Sequence, residues 1–268
     1  MNIKICGITR LEDAEKAVEL GAWAIGFLLW PESKRYVDPA VAAGIARAMR
    51  RKVELVGVFV NQSLDEIASL VDVLGLTYVQ LHGDEGPSFC IAVHQRTGAK
   101  VIKAGRITHA YDLQEMDRFR TDLHLLDAGT ADGTYGGTGK TWDWSLVARR
   151  KSKIPFLLAG GLNPDNVADA IKQTQPWGID VSSGVESAPG VKDPEKLRAL
   201  FAVVDELAPA TAPPEPRKPE TLVYPPREDE EVDAARLAKP DGGARRPREA
   251  RDPRPGGLAR PPRGRASR

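Results

Sequence analysis

Four groups of residues in this 268-residue chain have the types and spacing to do chemistry. The first is Lys4 and Cys6 in the run Ile3-Lys4-Ile5-Cys6. If that run is a strand, its side chains alternate, so the two isoleucines share one face and the lysine and cysteine the other. A thiol beside an ammonium is a candidate base or nucleophile, because the cation favours the thiolate. By composition alone a lone cysteine reads as a buried, inert thiol, and Cys90, on an expected helix, fits that reading. The second is Asp127, which ends the apolar run Leu123-His124-Leu125-Leu126. A carboxylate there is a costly neighbour for leucines unless it caps a turn or has a catalytic task. The third comprises two glycine-bearing segments, Gly160-Gly161-Leu162-Asn163 and Ser182-Ser183-Gly184-Val185. Backbone N–H groups can converge on a phosphate there with no Cβ in the way, although both also suit plain tight turns. The fourth, Gly136-Gly137-Thr138-Gly139-Lys140-Thr141, ends like a nucleotide P-loop, but Thr134 stands where that motif requires glycine. A mobile loop covering a site is the better reading.

Metal chemistry finds no support in the spacing. His82, His94, His109 and His124 form no HxH or HxxxH pair, and no CxxC exists. No metal or other cofactor is expected, and His82 reads as a structural histidine.

The elements that must position these residues follow from the hydrophobic rhythm. Eight runs read as strands: 3–6, 24–28, 54–60, 77–81, 100–104, 123–127, 155–159 and 178–182. Between them lie stretches with helical spacing of apolar residues, among them 11–20, 39–50, 64–74 and 164–173. Asp38 before Pro39 and Asn163 before Pro164 look like caps ahead of a first-turn proline. Eight such units in so short a chain close most economically into a (β/α)8 barrel, a TIM barrel; an open doubly wound sheet is the alternative. No GxGxxG follows the first strand, which weakens a dinucleotide-binding reading. In such a barrel the active site lies at the C-terminal ends of the strands. Strand parity then turns Lys4, Cys6, Gln80, His82, Asp180 and Ser182 inward and places Asp127 at a strand end.

Composition divides the chain near residue 208. Residues 209–268 hold 13 of the 21 prolines, with 14 Lys and Arg against 10 Asp and Glu, and only 15 of the 60 are hydrophobic. Such a segment cannot bury enough apolar area to offset the entropy of ordering, so it reads as a disordered tail following a catalytic domain at 1–208. The body is mildly acidic, with 24 Lys and Arg against 27 Asp and Glu. Its apolar stretches are too short for a bilayer helix, and the N-terminus lacks the apolar core of a secretory signal, so a cytoplasmic location is expected.

Seven ordered motifs carry a resemblance. KICGIT (4–9), SKRYV (33–37), VGVFVN (56–61), VQLHG (79–83), LLDA with GGTGKTWDW (125–144), LAGGLNPDNV (158–167) and VSSGVE (181–186) are similar to the phosphoribosylanthranilate isomerases of tryptophan biosynthesis. The resemblance runs from about residue 2 to 207. It implies a cofactor-free Amadori rearrangement of N-(5′-phosphoribosyl)anthranilate. On matching positions it makes Asp127 the general acid that opens the sugar ring and Cys6 the general base. Arg35 becomes the residue that engages the anthranilate carboxylate, and Gly160, Gly161, Ser183 and Gly184 the phosphate grip; Asp180 also matches a site position. The implied partner is a small phosphorylated aminosugar, in a monomer or a homodimer.

Rival readings are weaker. The histidine-pathway sugar isomerase would need a carboxylate where Cys6 stands, and indole-glycerol-phosphate synthase needs lysines and glutamates not found in place. A non-catalytic phosphate- or nucleic-acid-binding role is suggested by residues 235–268, with 11 Lys and Arg against 3 Asp and Glu. No aromatic interleaves that run for base stacking, so nucleic-acid binding is not expected.

Overall fold

A computed structural model of the chain describes residues 1–128 and 142–207. The glycine cluster at 136–141 and the tail from 209 lie outside the described residues.

Eight parallel strands close into a barrel: β1 (Asn2–Cys6), β2 (Ala24–Leu28), β3 (Glu54–Phe59), β4 (Tyr78–Leu81), β5 (Lys100–Ile107), β6 (Leu123–Ala128), β7 (Phe156–Leu158) and β8 (Gly178–Val181). Helices α1 (Leu11–Glu19), α2 (Pro39–Met49), α3 (Leu64–Leu74), α4 (Pro87–Thr97) and α5 (Ala110–Met116) follow the first five strands, and α6 (Val167–Thr174) and α7 (Pro194–Glu206) follow β7 and β8. Among the described residues, the connection after β6 carries a six-residue 3₁₀ turn, Trp144–Arg149, where an α-helix is the usual element. The closed-barrel expectation therefore holds.

Strand alternation sorts the core into two layers. Ile3, Ile5, Ile25, Phe27 and Leu55 pack outward under the helices. Ala24, Val56, Tyr78, Ile102, Leu125 and Leu157 fill the barrel, whose lower end is plugged by Trp23 in edge contact with Tyr78 and Trp177. The polar inward positions are thereby pushed to the upper end, where the strands finish.

Local signals explain most helix starts. Asp38 accepts a hydrogen bond from the Ala40 amide ahead of Pro39, and Ser63 forms a reciprocal capping box with Glu66. Asn163 behaves differently from its expected role. Its side chain accepts from the amides of Asp165 and Asn166, so it closes a turn, and α6 begins only at Val167. Asx residues offer the backbone this turn as an alternative to a helix. Beyond the eight expected strands the chain also forms an antiparallel hairpin, β9 (Glu186–Ala188) and β10 (Val191–Lys192), turning at Gly190 with φ +77°.

The loop carrying His82 is held by a buried ion pair. Glu85 accepts from the amides of Asn61 and Gly83 and from Lys103 Nζ at 2.8 Å, and Lys103 also donates to the Gly83 carbonyl. Both side chains are about 5% exposed or less. Removing one partner leaves a buried charge and two amides uncompensated. Glu85→Ala is expected to cost ~3–5 kcal/mol in urea unfolding; a loss below ~1 kcal/mol would show that water compensates the orphaned groups.

Candidate active site

Cys6 ends β1 with its side chain turned into the barrel and is 5% exposed. Lys4, one inward step below, is fully buried, and its Nζ lies 2.8 Å from Asp180 Oδ1. The closure of the barrel makes this contact, because β1 pairs with β8 in a register that sets Lys4 opposite Asp180. On the other side Cys6 stands opposite Gly26 of β2. A methyl built on Gly26 would lie 2.8 Å from Cys6 Sγ and 3.2 Å from Lys4 Nζ, so the missing side chain is what lets sulfur and ammonium meet.

The electrostatics of this trio are opposed. Burial works against the Lys4 ammonium, but Asp180 and Cys6 together hold its pKa above the ordinary lysine value. Burial pushes the Cys6 thiol up; Lys4 pulls it back, Asp180 opposes, and the balance stays above the ordinary thiol value. The resting thiol is therefore protonated at neutral pH, and its thiolate is a strongly basic minority form. Cys90, on α4, is buried and pushed up to about 11, as an inert structural thiol should be.

Asp127, near the end of β6, is buried. Its Oδ1 accepts from the Ala128 amide at 2.8 Å, while Oδ2 stands 3.2 Å from His82 Nε2, an approach that does not meet hydrogen-bond geometry. On the other side of that imidazole, His82 Nδ1 lies 2.9 Å from Gln80 Nε2. With the amide donating, Nδ1 is the accepting nitrogen, and Nε2 is the one that faces Asp127. His82, read from the sequence as a structural histidine, thus lies beside Asp127.

Arg35 lies in the loop after β2, with its stem across Gly7. A Cβ on Gly7, whose φ is +77°, would sit 2.8 Å from Arg35 Cδ and 3.1 Å from Ser182 Oγ. The guanidinium is bidentate to Glu186, with Nε at 2.9 and 3.0 Å from the two carboxylate oxygens and Nη2 at 2.8 Å from Oε2. Ser182 Oγ is buried without a hydrogen-bond partner.

The glycine loops join these parts. Gly160, at φ +91°, packs so closely on the residue after Asp127 that a Cβ would lie 2.6 Å from the Ala128 amide nitrogen. Gly184 admits no side chain at all, since its Cβ would sit on the Leu162 carbonyl oxygen. A contiguous rim thus runs from Asp127 through Gly160, Gly161, Ser183 and Gly184 to Gly7, Cys6 and Arg35. All eight residues named from the sequence lie on it or, like Asp180, directly beneath it. Gly26, Glu186 and Lys192 were not foreseen; the Pro-Gly turn at 189–190 is the one local signal for the hairpin that carries the last two.

The opposed pull on Cys6 is testable without substrate. In a Cys90→Ser background, titration of thiolate absorbance is expected to place Cys6 above the ordinary thiol value, and Lys4→Met is expected to move it higher still, since the attractive charge goes and Asp180 remains. A lower value in Lys4→Met would mean that the ammonium does not act on the sulfur.

Comparison with known proteins assigns the chain. A profile of the N-(5′-phosphoribosyl)anthranilate (PRA) isomerase family matches residues 3–203. The N-(5′-phosphoribosyl)anthranilate isomerase of Citrifermentans bemidjiense is 46% identical over 206 residues, 77% of this chain and 98% of that protein. The crystal structure of phosphoribosyl anthranilate isomerase from Thermotoga maritima superposes with a TM-score of 0.70 at 40% identity, over 77% of this chain and 99% of that one. A crystal structure of phosphoribosyl anthranilate isomerase in complex with reduced 1-(o-carboxyphenylamino)-1-deoxyribulose 5-phosphate superposes with a TM-score of 0.67 at 37% identity, covering 77% and 99%. With a match across the whole barrel in sequence and in fold, this chain belongs to the N-(5′-phosphoribosyl)anthranilate isomerase family.

Proposed function

We propose that Cys6 is the general base and Asp127 the general acid with which this chain carries out the isomerase step of tryptophan biosynthesis, the Amadori rearrangement of N-(5′-phosphoribosyl)anthranilate to 1-(2-carboxyphenylamino)-1-deoxyribulose 5-phosphate. The reaction belongs to the family; the assignment of roles rests chiefly on one observation, the Cys6 thiol beside the buried Lys4–Asp180 pair at the same end of the barrel as Asp127. Substrate and product are isomers, so the protein has only protons to move. The anilino nitrogen lone pair expels the ring oxygen from C1′, and that oxygen takes the proton of the Asp127 carboxyl, giving an open-chain Schiff base protonated on nitrogen. The Cys6 thiolate then removes the proton on C2′, and the electron pair of that C–H bond moves toward the C=N, giving an enolamine. The enolamine takes up a proton at C1′ while its hydroxyl loses one, and the ketone results.

The two groups need opposite starting states, an acid that is protonated and a base that is not. A buried thiol pushed upward is scarce as thiolate, but each thiolate that forms is a stronger base, and Lys4 limits the scarcity. His82 Nε2 stands 3.2 Å from Asp127 Oδ2, beside the proposed acid. Arg35 offers a planar fork to the anthranilate carboxylate, and the backbone of Gly160, Gly161, Ser183 and Gly184 forms a cradle for the phosphate, beside the unpartnered Ser182 hydroxyl. In that reading the ligand spans the barrel mouth with an anion at each end; the reduced product analogue in complex with a relative carries the same two anionic groups, a carboxylate and a phosphate.

No helix among the described residues is long and apolar enough to cross a membrane. We place the reaction in the cytoplasm, in a monomer or a homodimer, with the barrel at 1–208 as the catalytic unit. The family match ends at residue 203 and α7 at Glu206, which supports that boundary.

Single-turnover kinetics should separate the two roles. Cys6→Ser is expected to lose ~10²–10⁴ in rate, since a serine hydroxyl is too weak an acid to supply the base, while the affinity for the reduced product analogue stays within a few-fold. Asp127→Asn is expected to lose at least ~10² with substrate affinity retained. Full activity in Cys6→Ser would remove the thiol from the mechanism; unchanged rate with weak binding in Asp127→Asn would make that residue a substrate-positioning group.

The domain boundary has its own test. Ending the chain after residue 208 is expected to leave Tm and kcat/KM as they are, because a composition so poor in apolar residues is expected to contribute few native contacts. A large fall in Tm would show that the tail packs on the barrel.

A further inference from the structure

The hairpin of β9 and β10 carries two buried charges that the reaction does not use. Glu186 and Lys192 point inward, with side chains 5% and 0% exposed, and their headgroups lie 2.8 Å apart. Lys192 Nζ also donates to the Cys6 carbonyl at 2.6 Å and to the Ser182 carbonyl at 3.2 Å, so its three N–H bonds are all engaged. Its backbone amide donates to Asp13 at the start of α1, and the hairpin turn is tied to Thr9 through the Gly190 carbonyl. Glu186 holds Arg35 on one side and Lys192 on the other, and accepts a longer bond from the Gly190 amide. A pair buried this deeply is costly unless its geometry is well satisfied, and here it is satisfied by groups of the active-site rim.

The edge of the guanidinium that Glu186 occupies is the informative detail. A guanidinium can offer a bidentate fork along its Nε–Nη2 side or at its Nη1–Nη2 end. Glu186 takes the Nε–Nη2 side. The end-on fork is left to face a second carboxylate. We infer that Glu186, braced by Lys192, is a positioning residue that fixes Arg35 so that this end-on fork meets the anthranilate carboxylate, while Lys192 fixes the backbone of Cys6 in the same frame. The inference rests on the proposed reading of Arg35 as the carboxylate-binding residue.

Charge alone would predict the reverse. Glu186 cancels part of the positive charge at the site, so its removal could be thought to tighten an anion. The hairpin's cluster of Arg35, Lys192 and Glu186 carries one net positive charge, the complement of one carboxylate. Lys192 is already driven down by burial, with Glu186 as the chief opposing influence. Without Glu186 that support is lost too, which works against a gain in positive charge, and Arg35 loses the partner that orients it.

The test compares two ligands, the reduced product analogue and the same molecule with a plain phenylamino group lacking the carboxylate. In the full-length protein, Glu186→Gln and Glu186→Ala are expected to weaken the carboxylated ligand at least tenfold, to leave the phenylamino ligand within twofold, and to raise KM more than they lower kcat. Lys192→Met is expected to lower kcat as well, through the Cys6 carbonyl. Arg35→Met run in parallel separates the two layers of the reading. If Arg35→Met does not reduce the preference for the carboxylated ligand, the reading of Arg35 fails. If Arg35→Met reduces it and the Glu186 variants do not, or bind the carboxylated ligand more tightly, the positioning role of Glu186 is overturned while that of Arg35 stands. Equal loss for both ligands would make Glu186 a support of the fold, which also overturns the inference; Glu186→Gln, which keeps the shape and one acceptor, serves where Glu186→Ala does not fold.

Discussion

Lys4 has its whole side chain out of water, and the upper end of the barrel is arranged so that its charge has somewhere to go. An unpaired ammonium at that depth would neutralise itself, since the cost of desolvation reaches several kcal/mol even after relaxation. Asp180 prevents this, through the β1–β8 pairing that closes the barrel. Gly26 lets the Cys6 sulfur share the same ammonium. The proposed base therefore depends on a contact that exists only when the first and last strands meet, so fold closure and the chemistry of the site are one constraint.

The same principle recurs around the rim. Lys103 with Glu85 shapes the loop after β4, and Lys192 with Glu186 ties the hairpin after β8 to the end of β1 and to Arg35. Each lysine also donates to a backbone carbonyl, Gly83 in one case and Cys6 in the other. Buried ion pairs contribute little net stability compared with apolar packing, but they fix direction, and loops proposed to hold two anionic ends of one ligand need direction. Close glycine contacts serve the same end. Gly160 against Ala128 and Gly184 against Leu162 admit the backbone approach that a phosphate cradle requires.

The barrel was legible because its signals are local. Alternation within four residues is enough to turn Lys4 and Cys6 the same way, and eight such runs separated by helical periods leave few alternatives to closure. Asp38 reveals its helix because a cap acts within three residues. Asn163 misleads because the same side chain serves a turn equally well, and the sequence does not say which the backbone adopts. The hairpin was not legible, since strands of three and two residues are too short to show a period, and its charges find partners 151 and 186 positions away. Gly26 looks like any strand glycine until the register with β1 is known. Among the site residues, Cys6, Asp127 and the glycine loops stood out by type and place, whereas Arg35 was identifiable only through the resemblance of its motif.

A kinetic isotope effect tests most directly whether a thiolate tuned by Lys4 takes the C2′ proton after Asp127 has opened the ring. With substrate deuterated at C2′, single-turnover rates of the unaltered protein should show a primary effect. Lys4→Met should enlarge it, because a scarcer thiolate makes proton removal limiting, and Asp127→Asn should bring it toward unity, because ring opening then limits the rate. An isotope effect that vanishes in Lys4→Met, or that persists at full size in Asp127→Asn, would contradict the account.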